Sequence, residues 1–130
     1  MSRFINKHDD EEKVFEHTIH GDVKEAVGLS RDVQNYLSGN KSSTLVSLAI
    51  EEMIVNIINI NENVDTIDVI VRNKEDYILI SIKGTGIDFN PVIENDNLEF
   101  DNISVLNRIA EKIDCSRVLG LNSTVITIKN

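Results

Sequence analysis

Between Ser42 and Ile60 lies the run that most limits what this chain can fold into. Leu45, Val46, Leu48, Ala49, Ile50, Met53, Ile54, Val55, Ile57, Ile58 and Ile60 cover most of the circumference of a helix. A helix apolar nearly all round belongs inside a core, not on a surface. Glu52 and Asn56 interrupt it four residues apart, and residues at that spacing stack on one helical face. Two polar residues can simply face water where a helix leaves its core. Asn59 and Asn63 continue the same stripe, however, and a buried polar atom left unpaired costs roughly 1–3 kcal/mol. The seam therefore borders a wet cleft or a ligand.

The remaining periodicities place this helix in an α+β domain. Val14, Phe15 and Ile19 suit a short strand, which Gly21 ends. Asp22 and Glu25 match a capping box at a helix start. Val23, Ala26, Val27, Val33 and Leu37 then lie close to one 3.6-residue face, and Gly39 is placed to stop the helix. Ile67, Val69 and Val71, then Ile78, Ile80 and Ile82, alternate with polar residues on either side of Asn73-Lys74-Glu75-Asp76, the pattern of a hairpin. Residues 94–102 read as an acidic loop. Ile103, Leu106, Ile109, Ala110 and Ile113 repeat at helical spacing, and Val125, Ile126 and Ile128 form a last strand after Gly120. Ser116 and Arg117 suit an edge strand better than a nucleophile or anion site, and Cys115 suits a small core residue. The expected fold is a two-layer sandwich: a mixed, mostly antiparallel sheet covered on one face by three helices. A charged arm over 1–13 precedes a single domain over 14–130.

Composition narrows the function classes. At 130 residues and 41% hydrophobic content, one ordinary core is possible. The net charge of −9 repels nucleic acid and anionic membranes at long range. Cys115 has no second cysteine to pair with, and no run approaches the roughly 20 apolar residues of a membrane span. Cytoplasmic localisation without direct membrane insertion is the expectation. His8, His17 and His20 are too scattered to suggest a metal site.

Twenty-odd residues beyond the polar pair, Lys83-Gly84-Thr85-Gly86-Ile87-Asp88-Phe89-Asn90-Pro91 forms a glycine turn fed by a strand. With Glu52 and Asn56, this order resembles the GHKL ATPase fold of histidine kinases and gyrase, and most closely its anti-sigma-factor and serine-kinase branch, from about Val14 to Lys129. The family's Glu-x-x-x-Asn motif corresponds to Glu52 and Asn56. The resemblance makes Glu52 the catalytic residue, which orients or activates the attacking group, and Asn56 the Mg²⁺ ligand. The family's Asp-x-Gly-x-x-Phe-Asn/Asp-Pro motif matches at Gly86, Phe89, Asn90 and Pro91. The nucleotide-binding positions it implies are Asn56, Gly84, Gly86, Asp88, Phe89 and Ser104, with Mg·ATP as cofactor.

Two departures bear on that cofactor. The aspartate that accepts the adenine amino group in the family is Gly84 here, a loss on the order of 1–3 kcal/mol, or roughly tenfold to a hundredfold in affinity. The family's Gly-x-Gly loop, which offers backbone N–H groups to phosphate, corresponds to Phe100-Asp101-Asn102-Ile103-Ser104-Val105, which has no glycine. Asp101 or Asn102 would cap the helix and take those N–H groups. The resemblance, with these departures, implies a regulatory domain of weak or lost ATP binding. It would act by protein–protein interaction with a sigma-factor or anti-anti-sigma-like regulator, and the family admits a homodimer. The alternative is an active Mg·ATP-dependent serine/threonine kinase or ATPase, and a third reading is another small ligand in the vacated pocket.

Overall fold

The computed structural model describes residues 14–60, 64–86 and 102–130. The elements run β1 (Val14–His20), α1 (Val23–Tyr36), α2 (Ser43–Ile60), β2 (Thr66–Asn73), β3 (Tyr77–Gly84), α3 (Asn102–Ile109), β4 (Lys112–Val118) and β5 (Leu121–Lys129). The arm expected over 1–13 and almost all of the loop expected over 94–102 lie outside the described residues.

The five strands form one open sheet in the order β1-β2-β3-β5-β4. Every pairing among the described residues is antiparallel, which corrects the expectation of a mixed sheet. The reason lies in the connections. A parallel pair needs a crossover that carries the chain back to the end where the first strand began. Here α1 and α2 traverse the sheet once each, so the chain re-enters β2 at the end where it left β1, with His20 opposite Thr66.

Alternation assigns the strand faces. Ile19, Ile67, Val69, Val71, Ile78, Ile80, Ile82, Ile126 and Ile128 are all buried on one side, and with the buried residues of the three helices they form a single core. The other side carries Thr18, Asp68, Lys83 and Ser116 in one row across the sheet, with Thr18 donating to Asp68 Oδ1 at 2.6 Å. These nine buried residues are all isoleucine or valine, the β-branched types that a pleated, half-buried surface favours.

Three local expectations are corrected. The Asp22–Glu25 capping box is displaced. Asp22 Oδ1 accepts from the Lys24 N–H at 2.9 Å, and the Glu25 carboxylate accepts from the His20 N–H at 3.3 Å, because the Asp22 N–H already donates to the His20 carbonyl at 2.8 Å. The inward stripe of α1 is Ala26, Leu29, Ser30 and Val33, continued by Leu37 at its C-cap. Val23 and Val27 are exposed instead. Ser30 lies on this inward face, its hydroxyl 2.9 Å from the Val27 carbonyl and 3.1 Å from Glu51 Oε1 of α2. Finally, α3 stops at Ile109 and does not reach Ile113. Ala110 N–H closes the last turn on Leu106, and the next N–H, of Glu111, already donates to Thr127 of β5. Cross-strand pairing claims Ile113, which sits opposite Ile126.

The β4–β5 hairpin closes through two residues, Leu119 and Gly120, with φ of 52° and 79°. Positive φ at both central positions suits the twist of a tight hairpin, and Asn-Gly is the sequence that adopts it readily. Leucine in the left-handed region costs about 1–2 kcal/mol.

Two glycines should respond to a methyl group with opposite signs. A Cβ on Gly21 would lie 2.8 Å from the Val64 carbonyl oxygen, whereas one on Gly28, inside α1, meets nothing within 4 Å. Gly21→Ala is expected to lower stability by about 1 kcal/mol or more, and Gly28→Ala to raise it by about 0.8 kcal/mol. Urea denaturation of the two variants checks both, and equal signs would contradict this packing.

Candidate functional site

The polar seam of α2 and the glycine turn meet through the direction in which α2 runs. Ser42 Oγ donates to the Lys129 carbonyl at 3.3 Å, and Lys129 is opposite Tyr77 in the sheet. The N-terminus of α2 is thus anchored at the end of the sheet where β3 begins. Asn56 lies 14 residues on from Ser42, about 21 Å at a helical rise of about 1.5 Å. Gly84 lies seven residues on from Tyr77, about 23 Å at a strand rise of about 3.3 Å. Helix and strand run the same way and pack together, so Asn56 and Gly84 stand at the same level. The exit of α2 is tied to the turn as well. Thr85 Oγ1 accepts from the N–H groups of Asp65 at 2.8 Å and Thr66 at 3.2 Å, and the Thr85 N–H donates to the Thr66 carbonyl at 3.1 Å.

The seam itself is uneven. Asn56 has 0% exposure, Glu52 is partly buried, and Asn59 is exposed. Asn63 lies outside the described residues. Glu51 does not join the seam, since its carboxylate is committed to Ser30 on α1. Asn56 is therefore the only wholly buried side-chain amide among the described residues, held on a helix whose other buried positions are all apolar.

At this end the inner face of the sheet changes character. In the middle of the sheet the row is Ile80, Ile126 and Ile113. One step toward the turn it is Ile82, Thr124 and Cys115, and at the end it is Gly84, Asn122 and Arg117. Thr124 and Asn122 are both buried. Arg117 closes the row: its Nη1 donates to Asn122 Oδ1 at 3.0 Å and to the Gly86 carbonyl at 3.3 Å. Cys115 Sγ stands 4.0 Å from Thr124 Oγ1, so the cysteine occupies a polar row and not the apolar core.

Among the site residues expected from sequence, Asn56, Gly84 and Gly86 converge on this end of the molecule, and Glu52 is one turn back along α2. Asp88 and Phe89 lie outside the described residues. Ser104 belongs to the first turn of α3. Sequence reasoning did not assign Arg117 or Asn122 to the site. The signal was available, because the two residues are equidistant from Leu119-Gly120, and a two-residue hairpin turn makes them cross-strand neighbours.

The site contains no acceptor at position 84. A Cβ built on Gly84 would stand 3.8 Å from Ile67 Cγ1 and from the Thr66 carbonyl oxygen, ordinary contact distances. The glycine is thus not demanded by crowding. The nearest side-chain acceptor in register, Asn122 Oδ1, is occupied by the Arg117 guanidinium. Adenine recognition through this position does not fit the residues present.

No family model matches the chain, and no curated protein is significantly similar to it.

The dryness of the seam is measurable. In Asn56→Asp, burial should raise the carboxyl pKa above its unfolded value near 4. Below that value both states are protonated, and the substitution costs little beyond the lost amide contacts. As pH rises, the unfolded state ionises first, so the variant loses stability relative to wild type up to the folded pKa. Denaturation at pH 4 and pH 8 is expected to show a larger deficit at pH 8. Parallel profiles would mean that the position is solvated.

Proposed function

We propose that this chain is a regulatory domain of the anti-sigma-factor and serine-kinase branch of the GHKL ATPase fold, one that binds a protein partner and has weak or no affinity for ATP. The observation that carries this reading is the end of the inner sheet face, where a glycine stands in place of the adenine-reading carboxylate and an Arg117–Asn122 pair spans the adjoining strands. Support for the fold relationship comes from the element order, from α2 packed on the sheet with Glu52 and Asn56 in its second half, and from β3 ending at Gly84.

A buried carboxylate acceptor distinguishes adenine from other bases and from water. Its absence leaves the exocyclic amino group of a bound base unpaired, at a cost comparable to the whole net worth of a charged hydrogen bond. Glu52 and Asn56 are what favours the alternative, an active Mg·ATP-dependent kinase or ATPase. Their carboxylate and amide are the donor types a magnesium-nucleotide site uses, but one amide and one carboxylate hold a cation weakly without the triphosphate, and the base-recognition partner is missing.

Melting temperature followed during titration with Mg·ATP separates the two readings. A ligand at a hundred times its Kd stabilises by about 2.7 kcal/mol, a shift of several degrees for a domain of this size. Under the regulatory reading, millimolar Mg·ATP leaves the melting temperature unchanged, and Gly84→Asp, for which the Cβ has room, gains roughly tenfold or more in nucleotide affinity. A clear shift with the unaltered protein would establish the kinase reading instead.

A further inference from the structure

The hydrogen bonds at the rim of the inner sheet face leave donors over. Four acceptors around the glycine turn already receive bonds. Asn122 Oδ1 and the Gly86 carbonyl accept from Arg117 Nη1 at 3.0 and 3.3 Å, Thr85 Oγ1 accepts from the Asp65 and Thr66 N–H groups, and the Thr66 carbonyl accepts from the Thr85 N–H. A hydroxyl that accepts two N–H bonds aims its own proton elsewhere. The guanidinium of Arg117, held twice through Nη1, keeps Nη2 and Nε, whose N–H groups form a planar two-pronged edge. Arg117 is exposed, so that edge can be reached from solvent, and among the described residues no carboxylate pairs with it.

A ligand for such an edge presents two adjacent acceptors. A carboxylate or phosphate does so, but the chain carries a net charge of −9, and Asp65, exposed beside Thr85, adds a local negative charge. Both oppose an anion and leave an uncharged ligand unaffected. Among uncharged groups, the O6 and N7 acceptors of guanine are the pair that an arginine fork reads. Adenine carries an N6 donor where guanine has O6, and so meets the guanidinium donor against donor. The same end of the sheet has glycine at position 84, where a carboxylate would have accepted from that N6 group.

We propose that this rim binds an uncharged keto-purine nucleoside, guanosine or inosine, with Arg117 Nη2 and Nε donating to O6 and N7 of the base. This deepens the regulatory reading given above by naming a small ligand for the base position, and it rests on that reading for placing a base there.

The test is a heteronuclear NMR titration of the full chain with guanosine, inosine, adenosine and 7-deazaguanosine. Guanosine and inosine are expected to shift the amides of residues 84–86 and 115–122 and to bind roughly tenfold or more tighter than adenosine. In 7-deazaguanosine a C–H group replaces N7, and the loss of one acceptor should weaken binding roughly fivefold or more. That comparison alters only the ligand, so it holds whether or not an Arg117 variant folds. Arg117→Lys, which keeps the charge and loses the fork, should bind guanosine and adenosine equally. The proposal is overturned by absence of shifts at millimolar guanosine and inosine, by adenosine binding as tightly as guanosine, by 7-deazaguanosine matching guanosine, or by sodium glutamate producing the same shifts at the same concentration. A chain that responds to neither guanosine nor Mg·ATP keeps the regulatory reading and loses this one. A chain stabilised by Mg·ATP loses the regulatory reading whatever guanosine does.

Discussion

Burial of α2 is the constraint from which the rest of the architecture follows. A helix with Val46, Ala49, Ile50, Met53, Ile54 and Ile57 all shielded from solvent needs cover on several sides, and it obtains this from α1, α3 and β3. At roughly 25 cal/mol per Å² of apolar surface removed from water, this one element supplies a large part of the driving force for collapse. Covering it requires α1 to fold back beside it, and that return stroke makes β1 antiparallel to β2. The polarity of the β1–β2 pair thus follows from helix packing, while β2–β3 and β4–β5 are antiparallel as hairpins.

The same burial carries Asn56 into the interior. An amide on an apolar rod cannot remain at the surface when the rod is enclosed, and the register set by Ser42 on Lys129 brings it level with the end of β3. Across the sheet from that point the side chains turn polar, from Ile126 through Thr124 to Asn122, as they would along the floor of a site and not the floor of a sealed core. What this floor offers is a guanidinium on the edge strand β4, an amide beside it on β5, and a glycine at the end of β3. The chemistry these side chains offer is recognition of an anionic or hydrogen-bonding group at the rim.

The parts of this arrangement that were legible in the sequence are those encoded locally. The β2–β3 hairpin could be read because alternation in Ile67–Val71 and Ile78–Ile82 brackets a four-residue polar turn, and Asp22 because an acidic N-cap acts on its own first turn. The errors have a common cause. Ile113 continues the apolar spacing of α3, but the chain leaves the helix at Ala110 because Glu111 finds a partner on β5, a residue 16 positions away in sequence. Val23 and Val27 fit a helical stripe as well as Leu29 does, and the inward side is selected by packing against the following helix, where Ser30 meets Glu51 and Ser47 and Ala26, Leu29 and Val33 join the core. Arg117 was readable as an edge-strand residue, yet its reach to Gly86 spans 31 positions of chain.

From composition and periodicity alone, this chain was bound to bury one long helix, to form at least one hairpin, and to carry a carboxylate and an amide on a common helical face, since spacing along a regular element needs no tertiary partner. The polarity of the sheet, the end of α3, the inward side of α1 and the meeting of Arg117 with Asn122 and the glycine turn were decided only by the folded structure. Each is a choice between locally equivalent options, and only contacts between residues distant in sequence discriminate among them.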